Sequence, residues 1–207
     1  SEIDHTTLLV EIALEKAAEG LPPGVARRAA LVGAVLDPDG YPTWLWDHEA
    51  LTSWVGNGEK LARRHGRPVV IQALEEYGVT EFVGRNWASG RLTMHQLAAR
   101  AIRESAQSSE LSELVDILTE AFLIRVTEHK PEPASEFRRH LEVILALAAI
   151  SERSATTCRA LLAYFHSGRG RELEVAAQRL EAQASVVEDV GGTTARAYFA
   201  QGFADNA

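Results

Sequence analysis

Three histidines, His129, His140 and His166, fall near the ends of segments with helical spacing, and Glu128 and Glu136 stand close to them. Imidazole and carboxylate together bind zinc and iron, so a metal site is the first chemistry to test. Glu136 and His140 are four apart and share a helical face. The di-iron pattern of helical bundles instead sets Glu and His three apart and repeats the pair on a second helix, and this chain has neither that repeat nor an H-E-x-x-H. Capping or solvated histidines are therefore expected, with no metal and no cofactor. Asp37-Pro38-Asp39-Gly40 opens like a calcium loop. With Gly40 as sixth position, however, Val35 stands first and Trp46 twelfth, where such a loop needs ligands. The segment reads as a tight turn.

Anion binding has two candidate sites. Arg138 and Arg139 sit beside His140, and Arg169 and Arg171 sit in a loop where Gly168 and Gly170 free the backbone ahead of a helix. Arginine and helix N-termini do bind anions, but G-R-G-R is not a recognised phosphate loop, and Glu172 and Glu174 oppose an anion there. A solvated surface is the plainer reading. Cys158 is the only cysteine. It shares an apolar stripe with Leu161, Leu162 and Phe165 and has no paired base, so an inert core thiol is expected. A lone cysteine excludes an intrachain disulfide and Cys-rich zinc sites.

Tyr41, Trp44, Trp46 and Trp54 concentrate large aromatics in one short stretch. Trp and Tyr are enriched at binding hot spots, which makes these four the candidate partner-binding residues. The competing reading is a small aromatic core. Trp44 and Trp46 share a face in a strand but stand about 200° apart in a helix, where one of them is expected at the surface.

These residues belong to a chain of 207, 46% hydrophobic and 24% charged, with a net charge of −8. That is an ordinary globular composition, long enough for one large domain or two small ones. Ala is abundant and Arg outnumbers Lys, a bacterial-like composition. The negative charge is spread without acidic tail or basic arm, which argues against nucleic-acid binding, although a local patch stays open. A helix-turn-helix is not legible either, because Glu104 to Ser109 is a polar connector without the glycine of the tight turn. No apolar run approaches the roughly 18 residues of a membrane span. With no signal-like start, a cytoplasmic setting is expected.

Gly, Pro and capping residues divide the chain. Helical spacing covers Leu8 to Glu19 and Val25 to Leu36. The stretch from 31 to 46 is open between helix–turn–helix and a short hairpin or extended piece. Short helices are expected over Asp47 to Trp54, Glu59 to His65 and Val69 to Tyr77. Longer ones follow over Met94 to Ala106, Glu110 to His129, Ala134 to Ile150, Ala155 to His166 and Arg171 to Val187, with a last short one at Thr194 to Phe203. Val143 to Ile150 has no polar stripe for two turns, and the expectation is a helix buried on all sides near 141–150. Short loops between helices imply antiparallel neighbours.

The fold expected is all-α or predominantly α. Residues 1–90 form an α-rich region of short elements and residues 91–207 an antiparallel bundle around the buried helix, the whole also being compatible with one continuous domain. No catalytic set is legible. The leading function is a protein–protein interaction or regulatory protein, an adaptor or a subunit of a larger assembly, with a protein partner or a homo-oligomer. The alternative is a small-molecule-binding helical protein or enzyme with a pocket between helices.

Overall fold

The computed structural model describes residues 2–127, 134–147 and 150–167. Among them the chain is mostly helical, with a small antiparallel sheet and a short hairpin. It divides into two compact units, residues 1–114 and 115–207.

In the first unit, α1 (Glu2–Ala17), α2 (Val25–Ala34), α4 (Val69–Glu76) and α5 (Gln96–Ser105) pack on one another. The centre is α2, eight of whose residues are buried, Val25, Ala29, Val32 and Leu31 among them. Gly33 belongs to the same helix. A Cβ there would meet Met94 and Tyr41, each at 3.0 Å, so glycine lets both side chains close on the helix. The turn after α2 is local chemistry: the Asp37 carboxylate accepts from the Asp39 amide at 3.0 Å, and the Gly40 amide donates to the Asp37 carbonyl.

The sheet has the order β1 (Tyr41–Pro42), β5 (Arg91–Thr93), β4 (Glu81–Val83), with Tyr41 and Phe82 both opposite Leu92. This settles the open stretch: α2 is helical, and the extended piece at 41–42 pairs with residues fifty positions onward, not back on 31–36. A 3-10 turn, Thr43–Asp47, follows, then α3 (Glu49–Val55). The helix expected over Glu59 to His65 is absent. In its place β2 (Arg63–Arg64) and β3 (Arg67–Pro68) form a hairpin whose two-residue turn, His65-Gly66, has φ of 53° and 81°. Two positive φ values are what a primed turn demands; Gly supplies one freely and His is among the residues that tolerate the other. The Arg63 guanidinium fastens this shape by donating to Asp47 at 3.0 Å and to the Trp46 carbonyl, neither of them local.

The second unit is described through α6 (Ser108–Thr127), which enters it from the first, α7 (Ala134–Leu145) and α8 (Glu152–Ser167). The helix expected to be buried on all sides near 141–150 is corrected. Among the described side chains of α7, Phe137, His140, Leu141 and Ile144 are buried, one helical stripe, while Val143 and Leu145 are half-buried, and Ala146 just after the helix is exposed. α7 ends at Leu145, and α8 begins where Ser151 Oγ accepts from the Ser154 amide at 3.1 Å. Asp116 of α6 secures that start, its carboxylate accepting from the hydroxyls of Ser151 and Ser154. The expected helices over Arg171 to Val187 and Thr194 to Phe203 lie outside the described residues.

Candidate functional site

Of the four aromatics singled out by the sequence, the structure buries two. Tyr41 and Trp46 are among the largest fully enclosed side chains. Burial raises the Tyr41 phenol well above its ordinary range, with the neighbouring Trp46 indole pulling the other way. Trp44 and Trp54 are half-buried. The Trp54 indole donates to the Glu113 carboxylate at 3.0 Å, and the Arg28 guanidinium lies 5.8 Å from its ring centre. The four thus split between core and surface.

A second aromatic cluster escaped the sequence reading. Phe82 on β4 and Trp87 in the 3-10 turn Trp87–Ser89 stack at 5.8 Å. Arg67 of β3 lies over both rings, 4.9 Å from Phe82 and 5.2 Å from Trp87. Its guanidinium pairs with Glu75 of α4, whose other carboxylate oxygen accepts from the Phe82 amide at 3.0 Å. One carboxylate therefore ties α4, β3 and β4 together. Gly90 makes room for the ring: a Cβ there would stand 2.1 Å from Phe82 Cε2. The Trp87 turn is closed by Asn86, which accepts from the amide and hydroxyl of Ser89, and is anchored by Thr43, which donates to the carbonyls of Trp87 and Gly90. Half-buried rings under an arginine can contact a peptide or an anion. The only sequence signal for this cluster was its aromatic content, and nothing local pairs residue 67 with 82 and 87.

The hairpin that carries Arg67 is basic. Residues 60–67 hold Lys60, Arg63, Arg64 and Arg67 and no acid. Arg63 and Arg67 are spent on Asp47 and Glu75. Lys60, Arg64 and, in the loop after β4, Arg85 are exposed, and no acidic group among the described residues pairs with them.

Helix α1 offers a different surface. Leu8, Leu9 and Ile12 are 58%, 67% and 47% exposed. Ile12 lies four residues from Leu8 and three from Leu9, so they form one apolar strip on the solvent side of the helix. A single exposed leucine means little; three adjoining on one helix make an apolar patch.

In the second unit His140 is buried and stacks on Phe122 at 5.6 Å, so it is not a solvated histidine. Phe122 also meets Phe137 edge-on at 5.4 Å, and Phe137 stacks on Phe165. Cys158 is buried beside the Thr119 hydroxyl, 3.6 Å from it, and burial pushes its thiol up to about 11. The thiol is enclosed, as its apolar stripe implied. Arg138 is half-buried and Arg139 exposed on α7. Arg169, Arg171, Glu128 and His129, and the side chains of Glu136 and His166, lie outside the described residues. Among the described residues no three His, Cys, Asp or Glu side chains are grouped to hold a metal ion. No described helix is long and apolar enough to cross a membrane. Comparison with family models, with curated proteins and with solved structures finds no match.

Proposed function

We propose that this chain is a helical interaction module, an adaptor or regulatory subunit, that associates through α1 with a second copy of itself. The observation that carries the reading is the exposed Leu8–Leu9–Ile12 strip. An antiparallel pairing of two α1 helices centred on Val10 sets Leu8 of each copy against Ile12 of the other. The same register sets His5 against Glu15, and the two-fold axis repeats every pair. All four positions are at least partly open to solvent in the single chain, so pairing them requires no unfolding. A protein of this kind needs no reaction centre of its own.

Two coarser expectations travel with the proposal. The stacking of α6, α7 and α8 side chains around Phe122 and Phe137 supports an antiparallel bundle in the second unit. A single buried thiol with no disulfide suits a reducing compartment such as the cytoplasm.

Sedimentation of the purified chain over a wide concentration range tests the α1 reading. The expected result is a dimer that Leu8→Glu with Ile12→Glu converts to a monomer with an unchanged circular-dichroism spectrum, because both positions are exposed. A wild-type chain that stays monomeric at the highest concentration, or a dimer that survives both substitutions, overturns it.

A further inference from the structure

We propose that the 63–68 hairpin is a docking site for a carboxylate-rich peptide segment of a partner protein. The protein carries a net charge of −8, yet residues 60–67 bear four cations and no acid. Two of the four are consumed internally, and they are the two that hold the hairpin in place. Arg63 binds Asp47, the Trp46 carbonyl and the Gly66 carbonyl. Arg67 binds Glu75 and covers the Phe82–Trp87 stack. The Gln72 amide adds a bond to the Arg64 carbonyl at 3.1 Å. A hairpin tied at both strands loses little freedom when something docks on it, which is the condition for binding a short flexible segment.

Two of the cations left over, Arg64 and Arg85, border the Arg67 cluster through their neighbours in the chain and the ladder. Arg64 is the cross-strand partner of Arg67, so both side chains leave the same face of the ribbon. That is the face on which Arg67 meets Phe82 and Trp87. Arg85 stands two residues before Trp87 in the adjoining loop and is exposed. The surface thus combines two unpaired guanidinium groups with half-buried aromatic rings. Arg67 Nε and Trp87 Nε1 are enclosed in the same cluster and donate to nothing among the described residues. Guanidinium forks suit carboxylates, which they bind through paired hydrogen bonds, and the rings accept the methylene stems of Glu.

A nucleic acid is the weaker fit. Its affinity comes from neutralising many phosphates along a basic stripe, and here three unpaired cations face a chain whose remaining charge is strongly negative. A short acidic peptide needs only the local patch. This site is separate from α1, so failure of one leaves the other standing.

The test is fluorescence anisotropy with a fluorescein-labelled peptide of alternating aspartate and glutamate, at low and at high salt, on the full chain. Arg64→Glu and Arg85→Glu change exposed, unpaired side chains. Arg153→Glu, an exposed arginine of α8, makes the same change in net charge far away in sequence. The peptide is expected to bind the wild type and the Arg153→Glu chain alike at low salt. Arg64→Glu weakens it about tenfold, and the Arg64→Glu with Arg85→Glu pair abolishes it. Arg64→Gln, which keeps a polar side chain at the tip, is expected to give a smaller loss in the same direction. No binding to the wild type at low salt overturns the proposal. So does an equal loss with Arg153→Glu, which would make the effect one of bulk charge. Tighter binding of a single-stranded oligonucleotide of equal charge would overturn it in favour of nucleic acid.

Discussion

In residues 1–114 the enclosed aromatics Tyr41 and Trp46 come from a stretch with one two-residue strand and a 3-10 turn, whereas in the second unit Phe122, Phe137 and Phe165 come one from each of three helices. The helical aromatics are placed by the 3.6-residue period, which each helix sets for itself. Tyr41 and Trp46 are placed by groups far away in sequence. Tyr41 pairs with Leu92, the Thr43 hydroxyl reaches Gly90 at 2.9 Å, and Arg63 reaches the Trp46 carbonyl. The contrast teaches that a core can be built on irregular backbone when long-range hydrogen bonds replace the local ladder. Such a core should then fail as a unit when one remote partner is lost.

The largest effects test whether the two cores are independent. Trp46→Ala and Phe122→Ala each remove a fully enclosed ring and should each cost about 3–5 kcal/mol. All four tryptophans, 44, 46, 54 and 87, lie in the first unit, so their fluorescence reports that unit alone while circular dichroism reports both. In urea, Trp46→Ala should lower the fluorescence midpoint, and Phe122→Ala should lower part of the dichroism transition while sparing the fluorescence midpoint. Coincident shifts of both signals for either variant would mean one cooperative core, and the contrast drawn above would fall.

Gly90→Ala sharpens the claim about remote partners. It adds one methyl at 2.1 Å from the Phe82 ring and 3.0 Å from the Asn86 carbonyl. The expected cost is about 1–3 kcal/mol, seen in the fluorescence midpoint only. An unchanged midpoint would show that the Phe82–Trp87 stack can move aside and is not part of the first core.

The smallest effect concerns the helical core and pH. Burial raises the folded Cys158 thiol to about 11, above its unfolded value of 9.0, so the folded state holds the proton more tightly. The stabilisation is fully present below pH 9 and is lost as pH rises toward 11. Between neutral pH and pH 10 to 11 the second unit should lose roughly 1–2 kcal/mol from this group, a loss that Cys158→Ala removes. Equal pH slopes with and without the thiol would show that it is not enclosed in solution.

What the sequence alone determined was local. The spacing and caps that predict helices at Val25, Val69, Glu110 and Ala155 rest on contacts within four residues, and α2, α4, α6 and α8 follow them. The burial of Cys158 was legible for the same reason, from its stripe. The aromatic segment was legible as important but not as core or surface, because burial of Tyr41 and Trp46 depends on residues 90 to 92. Glu59 to His65 has helical composition and still forms no helix. Arg63 gains more from Asp47 and the Trp46 carbonyl than a short helix could offer, and the His65-Gly66 turn admits the hairpin. Val143 to Ile150 reads as one enclosed helix, yet α7 ends at Leu145 and Asp116, some thirty residues earlier, holds the start of α8 at Ser151. The Arg67–Phe82–Trp87 cluster had no local signature at all. Pairing between distant residues is a property of the packed chain, because its energy appears only once those residues have been brought together, and that is where tertiary structure decided what periodicity could not.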